Sequence, residues 1–450
     1  MKIPRIVIAG TKSGVGKTSI TLGIIFGMIK KGYSVQPFKV GPDYIDPSYL
    51  SAISNTNARN LDMWLMGKTD ILKSFVRNSS SNISVIEGVM GFYDGAYGSS
   101  NFANTYQISN ILNAPVILIL DASKTARSIA ATAFGYKKFQ QHSNIVGFIL
   151  NKLHSKKHES MCKQALRCLN LPVLGSIYKD ENLVINSRYL GLVPATEKSI
   201  SISNIKKISN KISDSLNMAK IIDVAYNSKN LSMKNKDKKD KKKVKIAIAL
   251  DQAFNFYYYD NLDLLKKSGA VLQYFSPMHD DTPPDCDGIY IGGGFPEVFG
   301  NILEQNTQMK NCIKKMAEDE TPIYAECGGL MYLSNSISNK NKVYPMTRLL
   351  DCEIHMTNKL KLNYTKGIIN ASSILSNKNM KAKGHEFHYS KVDYVRNDSK
   401  FAYKLSLGDG IKNKQDGLIC YKTLASYMHI YFNKKHMKNL IRECTQHMKK

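Results

Sequence analysis

The chain has 450 residues, 43% hydrophobic and 22% charged, which excludes a disordered polypeptide and at this length calls for two or three domains. Its formal net charge of +27 raises nucleic acid as a partner, yet eight Lys against two Asp are gathered in one run, MKNKDKKDKKKVK at 233–245, which reads as a solvated linker rather than a nucleic-acid arm. No run of about 18 uncharged apolar residues offers a membrane span, and eight Cys without CxxC spacing argue against structural zinc and a disulfide scaffold, leaving reduced cytosolic thiols as the expectation.

In chain order, RIVIAG (5–10) reads as a strand that begins almost at the N-terminus, without a signal-peptide layout. A glycine-rich loop follows, then a helix in TSITLGIIFGMIKKG. YSVQPFKVG, ISVIEGVMG, PVILILDAS and IVGFILNKL read as further strands, with a helix in TARSIAATAFGYKKF between the last two. Apolar runs of this length, separated by helices, predict a parallel sheet buried on both faces. After the Lys-rich run the pattern restarts. VKIAIAL, AVLQYFSP and GIYIGGG read as strands, YYYDNLDLLKKSG and MKNCIKKMAEDE as helices, and PIYAECGGLMYLS as strand, turn and helix. The expected organisation is an α/β unit over 1–225, a linker over 226–243 and a second α/β unit over 244–450.

The loop IAGTKSGVGKTSI is close to the phosphate-binding pattern G-x-x-x-x-G-K-[ST]. Gly16, Lys17 and Thr18 close it, but the first-glycine position holds Thr11 and Gly10 lies one residue early. Successive backbone N–H groups and a helix N-terminus can still hold an anion. Gly14 and Gly16 would supply the permissive backbone, Lys17 would reach the β- and γ-phosphates, and Thr18 could ligate Mg²⁺. The loop resembles the deviant phosphate-loop superfamily of dethiobiotin synthetase, the MinD/ParA ATPases and the cobyrinate and cobyrate amidotransferases. In the MinD/ParA branch the residue at Lys12 reaches ATP from a partner subunit, which would imply a homodimer.

Acids gather at the ends of the strands of this unit, where sheet ligands collect. VGPDYIDPSYL offers Asp43 and Asp46, VIEGVMGFYDG offers Glu87 and Asp94, and VILILDAS ends in Asp121. FILNKL ends in Asn151, where such folds often read adenine with an amide.

In the second unit, TPIYAECGGLMYLS puts Cys327 on a strand-to-helix turn of the nucleophile-elbow kind. N–H groups at the following helix start, Gly328 among them, would lower the thiol's pKa and hold an oxyanion. YIGGGFPE offers Gly293 and Gly294 as a second oxyanion donor. His429 in LASYMHIYF is the candidate base, with His385 and His388 of GHEFHYS as rivals. Cys first and His about a hundred residues later is the order in class I glutamine amidotransferases, although Tyr431 stands where that class has its Glu, leaving a Cys–His dyad.

The deviant loop, GPDYIDP, RNLDMW, IEGVMGFYDG, LGLVPATE, GGGFPE, AECGGLMYL, GHEFHYS and SYMHIYF occur in this order along nearly the whole chain. Together they resemble the cobyrinate a,c-diamide synthase family, which includes archaeal enzymes that amidate Ni-sirohydrochlorin in coenzyme F430 synthesis. The resemblance implies a dethiobiotin-synthetase-like phosphate-loop domain followed by a class I glutamine amidotransferase domain. It implies ATP and glutamine as co-substrates, Mg²⁺ held by Thr18, Glu87 and Asp43, and ATP contacts from Lys12, Gly14, Gly16, Lys17, Thr18 and Asn151. Asp43, Tyr44, Asp46 and Asp94 would contact a tetrapyrrole substrate, and Cys327 with His429 would release ammonia beside Gly294 and Gly328. It favours His429 as the base, because the family motif places the base in the final strand. Neither nucleic acid nor membrane is implied, and the setting would be cytoplasmic. The alternatives are cobyrate-synthase-type amidation of other side chains and a ParA/MinD-like switch ATPase.

Overall fold

A computed structural model describes residues 2–180, 202–231, 244–340 and 342–449. The motif LGLVPATE and the Lys-rich run up to Lys243 lie outside the described residues. The chain divides into two compact units, Met1–Asn235 and Lys236–Lys450.

In the first unit seven parallel strands form one sheet: β1 (Arg5–Gly10), β2 (Val35–Val40), β3 (Arg59–Leu61), β4 (Ile83–Glu87), β5 (Val116–Asp121), β6 (Ile145–Leu153) and β7 (Val173–Tyr178). Their order is β3-β2-β4-β1-β5-β6-β7. β1, β2 and β4 are buried at every position, as expected of a sheet covered by helices on both faces. The chain leaves β1 toward β2 and β3, then crosses back to β4 and on to β5. Ligands of open α/β sheets gather at such a reversal, outside the strands' carboxyl ends. Helix α1 (Lys17–Lys30) starts there, directly after the glycine-rich loop, and α2 (Ile45–Ser54) starts after β2. At the other end of the unit a helix runs to Tyr226, and the next residues pack on β1. Ser228 Oγ donates to Ile3 O (3.0 Å), and the buried Arg5 reaches Lys229 O (2.5 Å). The stretch 226–231 is thus tied to the first unit.

The second unit carries β8 (Val244–Ala249), β9 (Phe254–Phe256), β10 (Ala270–Phe275), β11 (Gly288–Ile291), β12 (Gly293–Gly294), β13 (Ile323–Glu326) and β14 (Ser336–Asn339). It continues with β15 (Lys342–Pro345), β16 (Cys352–Ile369), β17 (Lys381–Val395), β18 (Lys400–Leu407), β19 (Gln415–Cys420) and β20 (Thr423–Ser426). β10, β8, β11, β13 and β20 run parallel in that spatial order. From β20 the sheet continues antiparallel through β19, β18 and β16, with β17 paired to β16. Two apolar clusters form the core, one built around Ile289, Ile291, Ile323 and Ala325, the other around Ile246, Tyr290, Tyr324 and Leu424. Alternation along β11 and β13 assigns neighbouring residues to opposite clusters. Among the described residues no helix is long and apolar enough to cross a membrane.

Candidate active sites

The first site is built on the loop between β1 and α1. Gly16 caps α1 with left-handed backbone (φ 94°), and a Cβ there would stand 2.5 Å from Asn151 Nδ2. The displaced first glycine also has a geometric reason. A Cβ on Gly10 would lie 2.4 Å from Val15 Cγ1 and 3.1 Å from Lys17 Cγ, so the close approach falls at position 10 and Thr11 is free to carry a side chain. The carbonyl of Thr11 accepts from the Tyr136 hydroxyl.

Polar side chains at the neighbouring strand ends brace this loop. Asn151 Nδ2 donates to Val15 O (2.8 Å), and its Oδ1 accepts from Lys152 N (2.9 Å). The nitrogen of the expected base-reading amide is therefore engaged in holding the loop, and its oxygen is engaged by the next residue of its own strand. Lys152 Nζ donates to Gly14 O and to Asp121 Oδ2, each at 3.0 Å. Lys12 is exposed and pairs with the same Asp121 oxygen at 3.4 Å within its own chain. Burial would raise Asp121, but its bonds from Ser123 and Lys152 outweigh that and hold it down at about 2.

Lys17 turns its ammonium to Met90 O (2.5 Å) and Lys12 O (3.2 Å). Burial, then the charge of Lys39, lowers it to about 8. Lys39 was not singled out by its sequence, yet it sits at the centre of the site. Its Nζ is 2.8 Å from Glu87 Oε1 and 3.7 Å from Asp43 Oδ2, and it also pairs with Asp46. Burial would lower this ammonium, but Asp46 and Glu87 outweigh it and hold it charged. The acids part in opposite directions. Burial, then Asp46, pushes Asp43 up to about 7; burial pushes Glu87 up to about 7 against the pull of Lys39. For Asp46 the pull of Lys39 outweighs burial and lowers it. Asp43 Oδ1 also caps α2, accepting from Ile45 N (2.8 Å) and Asp46 N (3.3 Å), while Tyr44 beside it is buried. Asp94 stands apart from these acids in its bonding. Its Oδ2 accepts from Gly91 N (2.8 Å), closing a turn whose Phe92 N donates to Gly10 O (2.8 Å).

Thr18 Oγ1 donates to Glu87 Oε1 at 2.7 Å, and among the described residues Glu87 Oε2 is buried without a hydrogen-bond partner. An unsatisfied buried carboxylate oxygen beside a loop hydroxyl fits a hard cation. Among the described residues no cluster of three or more His, Cys, Asp or Glu is arranged as a metal cage.

The second site is built on the end of β13. Cys327 has φ 47° and ψ −97°, a strained backbone of the nucleophile-elbow kind that costs on the order of 1–3 kcal/mol. Its N–H donates to Ser426 O on β20 (2.7 Å), and the helix Gly328–Leu333 follows. The thiol is buried and donates to Phe387 O at 3.4 Å. Burial, reinforced by Glu297, raises the thiol's pKa well above its usual value and outweighs the Gly328 N–H. The expectation that the helix start lowers it is thus corrected: desolvation wins over a six-residue helix, and the resting group is the neutral thiol.

His429 follows β20 on a tightly held segment. Asp416 accepts from Tyr427 N (3.0 Å) and Met428 N (2.9 Å), and His385 and His429 exchange backbone bonds of 3.1 and 2.9 Å. Gly293 lies against the His429 ring: a Cβ there would be 2.6 Å from Cε1 and 3.4 Å from Nε2. Gly328 lies against Gly294, with a Cβ position 2.9 Å from Gly294 N. The four expected groups, Cys327, Gly328, Gly294 and His429, are therefore brought into one neighbourhood.

Each rival histidine has contacts of its own. His385 stacks on His429 (5.0 Å between ring centres) and meets the Tyr258 hydroxyl at 2.5 Å; burial, then His429, drops its pKa well below the usual value. His388 donates from Nδ1 to Ser390 O (2.8 Å), stacks on Tyr427 at 3.8 Å and is lowered by burial to about 4. Tyr431 bonds Asp260 (2.9 Å). Glu326, the residue before the nucleophile, was not singled out by its sequence, yet its Oε2 lies 3.4 Å from His429 Nδ1.

Comparison with known proteins follows the same division. Residues 6–193 match the family described as the CobQ/CobB/MinD/ParA nucleotide binding domain, and residues 245–437 match the CobB/CobQ-like glutamine amidotransferase domain. A protein of Methanosarcina barkeri named cobyrinate a,c-diamide synthase is 39% identical, over 95% of this chain and 93% of the relative. One of that name from Methanococcus maripaludis is 42% identical over 92% of this chain and 93% of the relative. Another from Dehalococcoides mccartyi is 40% identical over 98% of each.

Proposed function

The chain belongs to the cobyrinate a,c-diamide synthase family of glutamine-dependent ligases, and on that premise we propose that it amidates the a- and c-side-chain carboxylates of a tetrapyrrole, cobyrinate or Ni-sirohydrochlorin. A carboxylate resists ammonia at neutral pH because its leaving group would be oxide. Transfer of the γ-phosphoryl group of ATP to a carboxylate oxygen, with release of ADP, gives an acyl phosphate. Ammonia then adds to the carbonyl carbon, and inorganic phosphate departs with the former carboxylate oxygen. Lys17 would hold the β- and γ-phosphates and Lys39 would offset the charge of the acids around it. Thr18 and Glu87, with Asp43 near them, would hold Mg²⁺, which when bound neutralises phosphate charge.

In the second unit Cys327 would attack the amide carbon of glutamine. The thiol turns from Phe387 O toward His429, which takes its proton and passes it to the departing ammonia. Backbone N–H groups at Gly294 and Gly328 would receive the oxyanion, and water would free glutamate from the thioester. Ammonium at pH 7 is not nucleophilic, so we infer that the released ammonia is used before it equilibrates with the medium.

The observation that carries this reading is the neighbourhood of Cys327, His429, Gly294 and Gly328 in a chain that also has a phosphate loop closed by Gly16, Lys17 and Thr18. Mass spectrometry of products formed with ATP, glutamine and each macrocycle tests it. Two new amides on one macrocycle are expected. Amides on other side chains would support a cobyrate-synthase-type ligase instead, and ATP hydrolysis without any amide would contradict the ligase reading. A ParA/MinD-like switch is disfavoured by Cys327 and by the in-chain pairing of Lys12 with Asp121.

A further inference from the structure

We propose that Glu326 is the positioning carboxylate of the thiol site, holding His429 in the tautomer whose Nε2 lone pair accepts the thiol's proton. The proposal rests on the reading that Cys327 and His429 hydrolyse glutamine. A base histidine needs a partner at its other ring nitrogen, to fix the tautomer and to stabilise the imidazolium formed when the thiol is deprotonated. The residue two after His429 does not supply it, since Tyr431 bonds Asp260. Glu326 Oε2 lies 3.4 Å from His429 Nδ1.

The carboxylate is itself held on every side. Tyr290 Oη donates to Oε2 (3.0 Å), Tyr324 Oη donates to Oε1 (2.6 Å), and Ile430 N donates to Oε1 (3.0 Å). Glu326 is 1% exposed, at the end of a strand whose other positions are Ile323, Tyr324 and Ala325. An acid in such a core is costly unless donors surround it. Here the core provides two buried tyrosine hydroxyls and the backbone N–H next to His429.

Register explains how this works without a Glu after the histidine. β13 pairs with β20 so that Glu326 faces Ser426, three residues before His429. One strand end therefore supplies both the nucleophile and the group that orients its base. With Nδ1–H directed at Glu326, the Nε2 lone pair is left on the side of Gly293, where an added Cβ would lie 3.4 Å from Nε2. This makes a three-membered relay out of what the sequence offers as a dyad.

Two measurements test it. In the full chain, Glu326→Gln keeps the side chain's shape and should lower kcat for glutamine hydrolysis by about 10²–10⁴-fold, with KM for glutamine nearly unchanged. The acid limb of kcat/KM should move to lower pH, because an imidazolium without its carboxylate gives up its proton more readily. Ammonium-driven amidation should be unaffected. An unchanged kcat and pH profile would overturn the proposal. Because a buried Glu→Gln change can prevent folding, ¹⁵N NMR of the wild-type chain with labelled histidine provides the second reading. In its neutral form His429 should carry its proton on Nδ1, and the opposite tautomer would overturn the proposal. Failure of the underlying glutaminase reading looks different: wild type and Cys327→Ala would be equally inactive with glutamine, while the tautomer would still report on Glu326.

Discussion

The two sites handle charge in opposite ways. Around the phosphate loop, ionisable groups of both signs are crowded together: Lys39 touches Asp43, Asp46 and Glu87, and Lys17 is near enough to feel them. Around the thiol, the cysteine and the two neighbouring histidines are kept neutral and a single carboxylate is enclosed. Burial holds Cys327 up and His385 and His388 down, and the carboxylate of Glu326 is wrapped in donors. The difference follows from the chemistry each region is suited to. Phosphoryl transfer moves a group already dense in negative charge, so fixed cations and a metal-ready carboxylate must be in place beforehand. Thiol attack on an amide creates charge only during the reaction, and a dry site holds the nucleophile neutral until a base removes its proton.

If the two regions are chemically separate, variants should split their activities cleanly. The largest expected effect is that of Lys17→Ala. Steady-state assays should show amidation reduced by about 10³-fold or more with either glutamine or ammonium, while glutamine hydrolysis persists. Loss of hydrolysis as well would mean that the sites are not separable. Cys327→Ala is the mirror case, abolishing glutamine use and sparing ammonium-driven amidation. His429→Ala should cost hydrolysis about 10²–10⁴-fold and His388→Ala less than about tenfold. The reverse ranking would move the base to His388.

A pH dependence sharpens the contrast. Glu87 and Asp43 both titrate near 7 in the fold, above their ordinary values near 4. For acids raised in this way, the contribution to stability is complete below the unfolded pKa and is lost as pH rises through the folded one. Thermal unfolding of the metal-free chain should therefore show Tm falling between about pH 4.5 and 7.5. Cation binding needs the ionised carboxylates, so Mg²⁺–nucleotide should bind more tightly over the same interval. Calorimetry of Glu87→Gln/Asp43→Asn should flatten that rise; an unchanged slope would assign it to other groups. The smallest effect is expected at Lys12. Its exposed pair with Asp121 is worth about 1 kcal/mol or less, so Lys12→Ser should change amidation by only a few-fold. A much larger loss, rescued by mixing Lys12→Ala with Lys17→Ala chains, would show that Lys12 acts across a dimer.

Much of this arrangement is legible in the residues alone. The apolar runs mark β1, β2, β4, β5, β6, β11 and β13, and the glycine-rich loop and the AECGG elbow mark where each site begins. Two central groups are not legible, for a shared reason. Lys39 lies inside the strand run VQPFKV, where a lysine reads as an interruption, and its partner Glu87 is 48 residues away. Three strand ends carrying acids with no stated cation to balance them was the available signal. Glu326 is overshadowed by the nucleophile beside it, and its histidine is 103 residues distant. The thiol's pKa is not legible either, because a helix start is visible in sequence, whereas the depth of burial that outweighs it depends on β17 and β20 closing over the turn.

The central claim is that one chain joins a phosphoryl-transfer site to a thiol glutaminase through a carboxylate made reactive by ATP. Oxygen tracing tests it most directly. The tetrapyrrole, labelled with ¹⁸O in its a and c carboxylates, is converted with ATP and glutamine, and the inorganic phosphate is read by mass spectrometry. The account predicts one ¹⁸O in phosphate for each amide formed, from wild type with glutamine and from Cys327→Ala with ammonium alike. Amides formed with unlabelled phosphate would contradict it.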